Sequence, residues 1–151
     1  MKLHFEWQRL ESLTAAELYA LLQARESVFV VEQQCAYQEA DGMDFHAWHL
    51  RVLLDGELAA CARVVDPGLK YTEPSIGRVM TLGKFRKLQI GRALVAEAIA
   101  FTEQHWPGQG IRIGAQAHLE GFYGSLGFQA VGDVYDEDGI PHIDMVKPAQ
   151  A

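Results

Sequence analysis

A chain of 151 residues and 16.8 kDa holds enough material for one domain of ordinary size and not for a second core, so a single domain over residues 1–151 is expected. Its net charge of -7 argues against a general nucleic-acid or anionic-membrane surface, because either partner is repelled at long range. The apolar runs are too short to cross a bilayer, and Met1-Lys2-Leu3-His4 lacks the apolar core and cleavage site of a signal peptide, so the expected address is the cytoplasm.

Leu3 to Trp7 alternates as a first strand, and Thr14-Ala15-Ala16-Glu17 reads as a capping box opening a helix whose buried stripe is marked by Leu18, Leu22 and Phe29. From Glu32 to Trp48 the periodicity fails. Tyr37, Glu39, Asp41, Gly42, Asp44, His46 and His49 crowd there, a first candidate for a functional loop. Strands over residues 50–54 and 58–65 flank Asp55-Gly56, a hairpin dipeptide, and Ile76 to Leu82 forms another strand. After Gly83 a long amphipathic helix begins near Ile90, with Leu94, Ala98 and Phe101 on one face, and Pro107-Gly108 stops it. A short strand over 111–115, a brief helix over 119–126 with Gly127 at its C-cap, and two strands over 128–135 and 140–147 across Asp138-Gly139 complete the chain. The order β α β β β α β α β β predicts an α/β (α+β) sandwich with a mixed, mainly antiparallel sheet flanked by helices. Cys35 and Cys61, neither closely spaced nor joined by a second pair, are expected to pack as inert thiols.

Chemistry concentrates around the strand, loop and helix start from Ile76 to Arg92. Unpaired N–H groups at a helix start converge on one spot, which suits an anion. Arg86, Lys87 and Arg92 place three cations there in an otherwise acidic chain, and Gly91 permits close backbone approach. Cations at a helix N-terminus oppose the macrodipole, so decoration of a solvent-facing turn explains them less well than a phosphate-bearing ligand. The glycine spacing of a P-loop or a dinucleotide fingerprint is absent.

The segment Arg86-Lys87-Leu88-Gln89-Ile90-Gly91-Arg92-Ala93-Leu94 resembles the acetyl-CoA-binding motif of the GNAT N-acetyltransferases, and Phe122-Tyr123-Gly124-Ser125-Leu126-Gly127-Phe128 resembles that family's Phe-Tyr-x-x-x-Gly-Phe signature. Gly114-Ala115-Gln116-Ala117-His118-Leu119 and Tyr135-Asp136-Glu137-Asp138-Gly139-Ile140-Pro141-His142 are similar to the ElaA-like subfamily, so the resemblance covers nearly the whole chain. Lys87 and Gln89 replace two glycines of the commonest motif, and Gln116 stands about where many members have Asn.

The resemblance implies a GNAT fold, acetyl-CoA as donor, and a primary amine of a small molecule or a peptide as acceptor. It implies a cofactor site made of Val79, Met80, Thr81, Arg86, Lys87, Leu88, Gln89, Ile90, Gly91, Arg92 and Gln116. A backbone N–H from Val79 to Thr81 would polarise the thioester carbonyl, and Tyr123 would protonate the departing thiolate or, alternatively, serve as a packed aromatic. Because a lysine-like amine is neutral in only about one molecule in 2,500 at pH 7, a proton acceptor is needed. Glu32, Asp41, Asp44, His46, His118 and His142 are the candidates, with His142 beside Asp144 either orienting as a base or forming a polar edge. No metal site is expected, for want of ligands at regular spacing. Pairing as a homodimer is implied by the resemblance alone. A non-catalytic acyl-CoA-binding module and transfer from another activated donor stay open beside the enzyme.

Overall fold

The computed structural model describes residues 2–149. Strands β1 (Leu3–Arg9), β2 (Ala47–Leu54), β3 (Glu57–Val65) and β4 (Ser75–Thr81) form one antiparallel sheet in the order β1-β2-β3-β4, and β5 (Ile111–Gln116), β6 (Gln129–Glu137) and β7 (Ile140–Lys147) form a second in the order β5-β7-β6. Helices α1 (Ala15–Glu26), α2 (Ile90–His105) and α3 (Glu120–Gly124) complete the expected alternation. The expected mixed sheet is thus divided in two. β4 and β5 meet at their starts, where the Arg112 N–H donates to the Pro74 carbonyl at 3.1 Å, and beyond that contact the facing edges carry no ladder.

Local chemistry explains the elements. The Thr14 hydroxyl accepts from the Glu17 N–H at 3.1 Å while the Thr14 N–H donates to the Glu17 carboxylate at 2.9 Å, a complete capping box for α1. Asp55-Gly56 and Asp138-Gly139 both adopt positive φ at their two residues (51° and 80°, 53° and 82°), the tight-turn geometry that twists with its strands.

One face was misassigned. Leu21, Ala24 and Arg25 form the fully buried stripe of α1, continued by Val28 just beyond it, whereas Leu18, Leu22 and Phe29 are only half-buried, Phe29 packing against the same cluster. Arg25 occupies a core-facing position as a paired cation, which hides the true phase from an apolar count, and α1 runs on as a π-helical turn over Ser27–Glu32 that shifts the phase again. Around α2, Val95, Ala98 and Ile99 pack with Val64 and Ile76 of one sheet and with Ile113, Ile143 and Met145 of the other, so one core ties both sheets to the same helix.

Candidate active site

Where β4 and β5 part, a cleft of about 520 Å³ opens, lined by residues 76–81 of β4, 113–116 of β5, the end of the α1 segment and the β6–β7 turn. β4 reaches it through a bulge. The register against β3 shifts between Cys61 and Arg63, and Arg78 takes a left-handed φ of 49°, uncommon for a residue with a side chain. The guanidinium of Arg78 is held from the opposite wall, donating to the Glu39 carboxylate at 2.7 Å, the Glu39 carbonyl at 3.0 Å and Asp41 at 3.3 Å. Beyond the bulge, the edge of residues 79–81 that faces away from β3 has no ladder partner, which leaves backbone groups free toward the cleft.

The start of α2 lies beyond the cleft lining, which reaches toward it only as far as Arg86; Lys87, Leu88, Gln89, Ile90, Gly91 and Arg92 stand outside that lining. The N-cap residue of α2, Gln89, adopts a φ of 56° and offers no side-chain hydrogen bond, so the first-turn N–H groups remain open to an anion. A Cβ built on Gly91 meets nothing within 4 Å, and its φ is ordinary. Arg86 lines the cleft, donates from Nε to the Thr81 carbonyl at 3.0 Å and pairs with Glu32 at 2.7 Å. Because both partners of that pair are largely exposed, it is weak and exchangeable. Lys87 and Leu88 are exposed beside the helix start, Arg92 donates to the Ser125 hydroxyl at 3.0 Å, and Ile90 turns its side chain into the core, leaving only its backbone for a ligand.

Within the cleft, Gln116, His118, Tyr123 and His142 share the lining with Val79, Met80 and Thr81. Tyr123 comes from α3 and packs edge-on between Phe122 and Phe128. Burial pushes its hydroxyl up to about 12, so it stays a proton donor throughout the physiological range. His142 faces Gln116 across the β5–β7 ladder. Its Nδ1 lies 2.8 Å from the Ile140 carbonyl, an acceptor, so the proton belongs on Nδ1, and Nε2 lies 3.4 Å from the Glu137 carboxylate.

The expected partner of His142 is wrong. Asp144 spends its oxygens on Arg112 at 2.8 Å and on the Tyr135 hydroxyl at 2.6 Å, whereas Ile140 and Glu137 are the groups that meet the imidazole.

The polar stretch between Glu32 and His49 proves to be a wall rather than a set of bases. Arg25 donates to Glu39 at 2.7 Å and to both oxygens of Asp44 at 2.8 and 3.1 Å, and Arg63 donates to Asp41 at 2.9 and 2.7 Å and to Asp44 at 3.1 Å. Burial alone would raise Asp41 and Asp44, but hydrogen bonds from Arg63 and Arg25 outweigh it and hold both below the ordinary carboxylate range. His49 is buried against the Asp44 carbonyl at 3.0 Å, and burial lowers its affinity for a proton. Of the candidate bases, only Asp41, His118 and His142 line the cleft; Glu32, Asp44 and His46 do not. Both thiols are free and buried, with Cys61 pushed up to about 12 by burial and Cys35 donating to the Asp138 carbonyl at 3.1 Å.

Sequence reasoning missed Arg78, Lys70 and Glu137, which also line the cleft. A lone Arg after Gly77 in an otherwise apolar strand was the available sign of the bulge.

The family model for the acetyltransferase (GNAT) domain matches residues 15–149. Protein ElaA of Escherichia coli is 42% identical over 146 residues, spanning 94% of this chain and 95% of its own. Among solved structures, an acyl-CoA N-acyltransferase from Pseudomonas aeruginosa is similar at a TM-score of 0.91 and 42% identity, covering 97% of this chain and 99% of its own. The crystal structure of Escherichia coli ElaA is similar at a TM-score of 0.90 and 38% identity, with 97% and 99% covered. At that identity over nearly the whole length, the chain belongs to the GNAT acetyltransferase family and, within it, to the ElaA-like subfamily.

Proposed function

We propose that this chain is a single catalytic domain that transfers an acetyl or other small acyl group from acetyl-CoA directly to a primary amine of a small molecule or peptide. The observation that carries the reading is the cleft itself, in which the unpaired edge of residues 79–81 shares the lining with Tyr123 and with Arg86, which lies in the turn just before the uncapped start of α2. The residues fit the donor. The α2 start, with Arg86, Lys87 and Arg92 around it and open space at Gly91, suits a pyrophosphate, while residues 79–81 of β4 and Gln116 of β5 suit an extended amide-bearing arm.

The donor supplies an acyl carbon activated as a thioester. A backbone N–H between Val79 and Thr81 stabilises the negative charge that gathers on the carbonyl oxygen, with no side chain required. Tyr123 gives its proton to the departing sulfur. His142 accepts a proton from the amine on Nε2, where the Glu137 carboxylate 3.4 Å away stabilises the imidazolium. Glu32 and Asp44 do not serve, since they lie outside the cleft lining, nor does Asp41, which is engaged by Arg63 and Arg78. The cytoplasm as address and pairing as a homodimer belong to the same proposal and rest on the sequence and on family likeness.

Thermal shift with CoA, acetyl-CoA and a nicotinamide dinucleotide tests the ligand class, with stabilisation expected from both CoA species alone. Release of free thiol from acetyl-CoA across a panel of amines then tests turnover. Tyr123→Phe is expected to lower kcat by about 10²-fold while keeping the thermal shift. No stabilisation by either CoA species overturns the reading, and thiol release undiminished in Tyr123→Phe removes the tyrosine from it. Stabilisation by both CoA species with no thiol release for any amine favours a binding module instead.

A further inference from the structure

The acceptor side of the cleft already contains a primary amine. Among the residues lining the cleft, Lys70 is the one lysine. It sits in the loop between β3 and β4, exposed overall, with its ammonium nitrogen 5.8 Å from the ring centroid of Tyr71. That loop is braced rather than loose. The Gly68 N–H donates to the Tyr71 carbonyl at 2.8 Å, and the Tyr71 ring lies under the Arg112 guanidinium at 5.1 Å.

The other lysines are placed differently. Lys84 is paired with Glu57 and Lys147 with Glu103, whereas Lys2 and Lys87 lie outside the cleft lining. Among the described residues Lys70 has no ion-pair partner, although Glu137, Asp41, Arg63 and Arg78 all act on it electrostatically. Desolvation lowers its proton affinity, with Glu137 opposing and Arg63 and Arg78 assisting, which raises the neutral fraction of its amine.

We infer that Lys70 is a self-acylation site, receiving in cis the acyl group that the cleft is built to transfer. This rests on the acyl-CoA reading proposed above. The neutral nitrogen of Lys70 forms a C–N bond to the acyl carbon as the C–S bond breaks. The proton that nitrogen sheds passes to Nε2 of His142 and on to solvent, sulfur takes the hydroxyl proton of Tyr123, and the tyrosinate regains one proton from solvent, so that no net proton is gained or lost. The products are an amide at Lys70 and free CoA thiol. Acylation removes one cation from a lining in which Lys70, Arg78 and Arg86 stand against Asp41, Glu137 and Asp138, and so tips its balance toward negative charge and toward cationic acceptors.

The test uses the full chain incubated with acetyl-CoA and no amine, followed by intact mass and peptide mapping. One acetyl group per chain is expected, mapped to Lys70, with a fractional rate independent of protein concentration. Lys70→Arg is expected to lose that product, and Tyr123→Phe to slow it by about 10²-fold. Equal labelling of Lys70, Lys84 and Lys87, a rate that rises with protein concentration, or labelling unaffected by Tyr123→Phe overturns the inference. If acetyl-CoA stabilises the wild-type chain and an added amine is turned over but Lys70 stays unmodified, self-transfer alone falls. If acetyl-CoA does not stabilise the chain, both readings fall together.

Discussion

Gly91 separates what the fold needs from what a ligand needs. Its φ is ordinary and a methyl group there would touch nothing, so no feature of the ligand-free chain calls for glycine. An alanine should therefore help the folded chain, because a glycine in a helix loses more backbone freedom on folding. In the first turn of α2 the gain should be about 0.5 kcal/mol, near the low end for this exchange. The same methyl group would project from the helix start proposed to receive the pyrophosphate. Gly91→Ala is thus expected to raise the melting temperature of the free chain while shrinking the extra shift produced by acetyl-CoA. If both shifts are as in the wild type, the pyrophosphate lies elsewhere. Gln89 shows the converse situation, since its φ of 56° favours glycine and the chain nevertheless carries a side chain there.

At the scale of elements, the ion network over Arg25, Arg63, Arg78, Glu39, Asp41 and Asp44 joins α1, β3, β4 and the segment between α1 and β2 into one wall of the cleft. Arg25 and Arg63 are only 1% and 2% exposed, so removing a partner strands a charge that water cannot reach. Asp44→Ala should cost about 3–5 kcal/mol in denaturant unfolding, the range for breaking one side of a buried pair. Asp44→Asn, which keeps the shape, should recover little of that loss, since charge rather than volume is what is missing. A cost under about 1 kcal/mol would mean that the pair is worth no more than a surface bridge. The pH dependence has a definite sign. The carboxylates of Asp41 and Asp44 are held below their unfolded values, so their stabilisation is present above the ordinary aspartate range and is lost as pH falls through the depressed folded values. Protection against hydrogen exchange across residues 35–46, taken relative to the intrinsic rate at each pH, should fall on acidification before that of the core strands, and Asp44→Asn should show the lower protection already at neutral pH.

This wall also explains which parts of the molecule were legible in the sequence. Short-range signals translated directly: the Thr14 capping box, the two Asp-Gly turns and the start of α2 at Ile90 each depend on residues a few positions apart. The cleft-lining positions Thr81, Gln116 and Tyr123 were reached through family likeness, which carries tertiary information that periodicity lacks, whereas Arg86 followed from the cations at a helix start and His142 from its place on the last strand. Pairings over long sequence separations stayed hidden. Arg25 with Asp44, Arg78 with Glu39 and Asp144 with Arg112 cannot be told from solvated charges until the strands bring them together. For that reason Asp144 was assigned to His142, and Asp41 and Asp44 were counted among the bases.

The whole molecule carries a net charge of -7, whereas the cleft lining sets Asp41, Glu137 and Asp138 against Lys70, Arg78 and Arg86, so the field that reaches an acceptor at a distance comes from the molecule as a whole. Such a field acts on an approaching acceptor before any contact forms, raising encounter rates for cations and lowering them for anions. Its reach is set by ionic strength, about 10 Å at 0.1 M salt and about 3 Å at 1 M. In the mechanism proposed above, chemistry after binding takes place against strand backbone and the buried Tyr123, where salt penetrates little. Steering and chemistry are therefore separable by experiment. At saturating donor, the KM of a dicationic amine should rise several-fold between 0.1 and 1 M salt, on the order expected from losing long-range attraction, while kcat moves little. A monocationic amine of similar size should show a smaller rise, because its attraction scales with charge. Equal KM changes for both amines would mean that the field plays no part in selecting the acceptor, and that recognition is decided entirely by contacts inside the cleft.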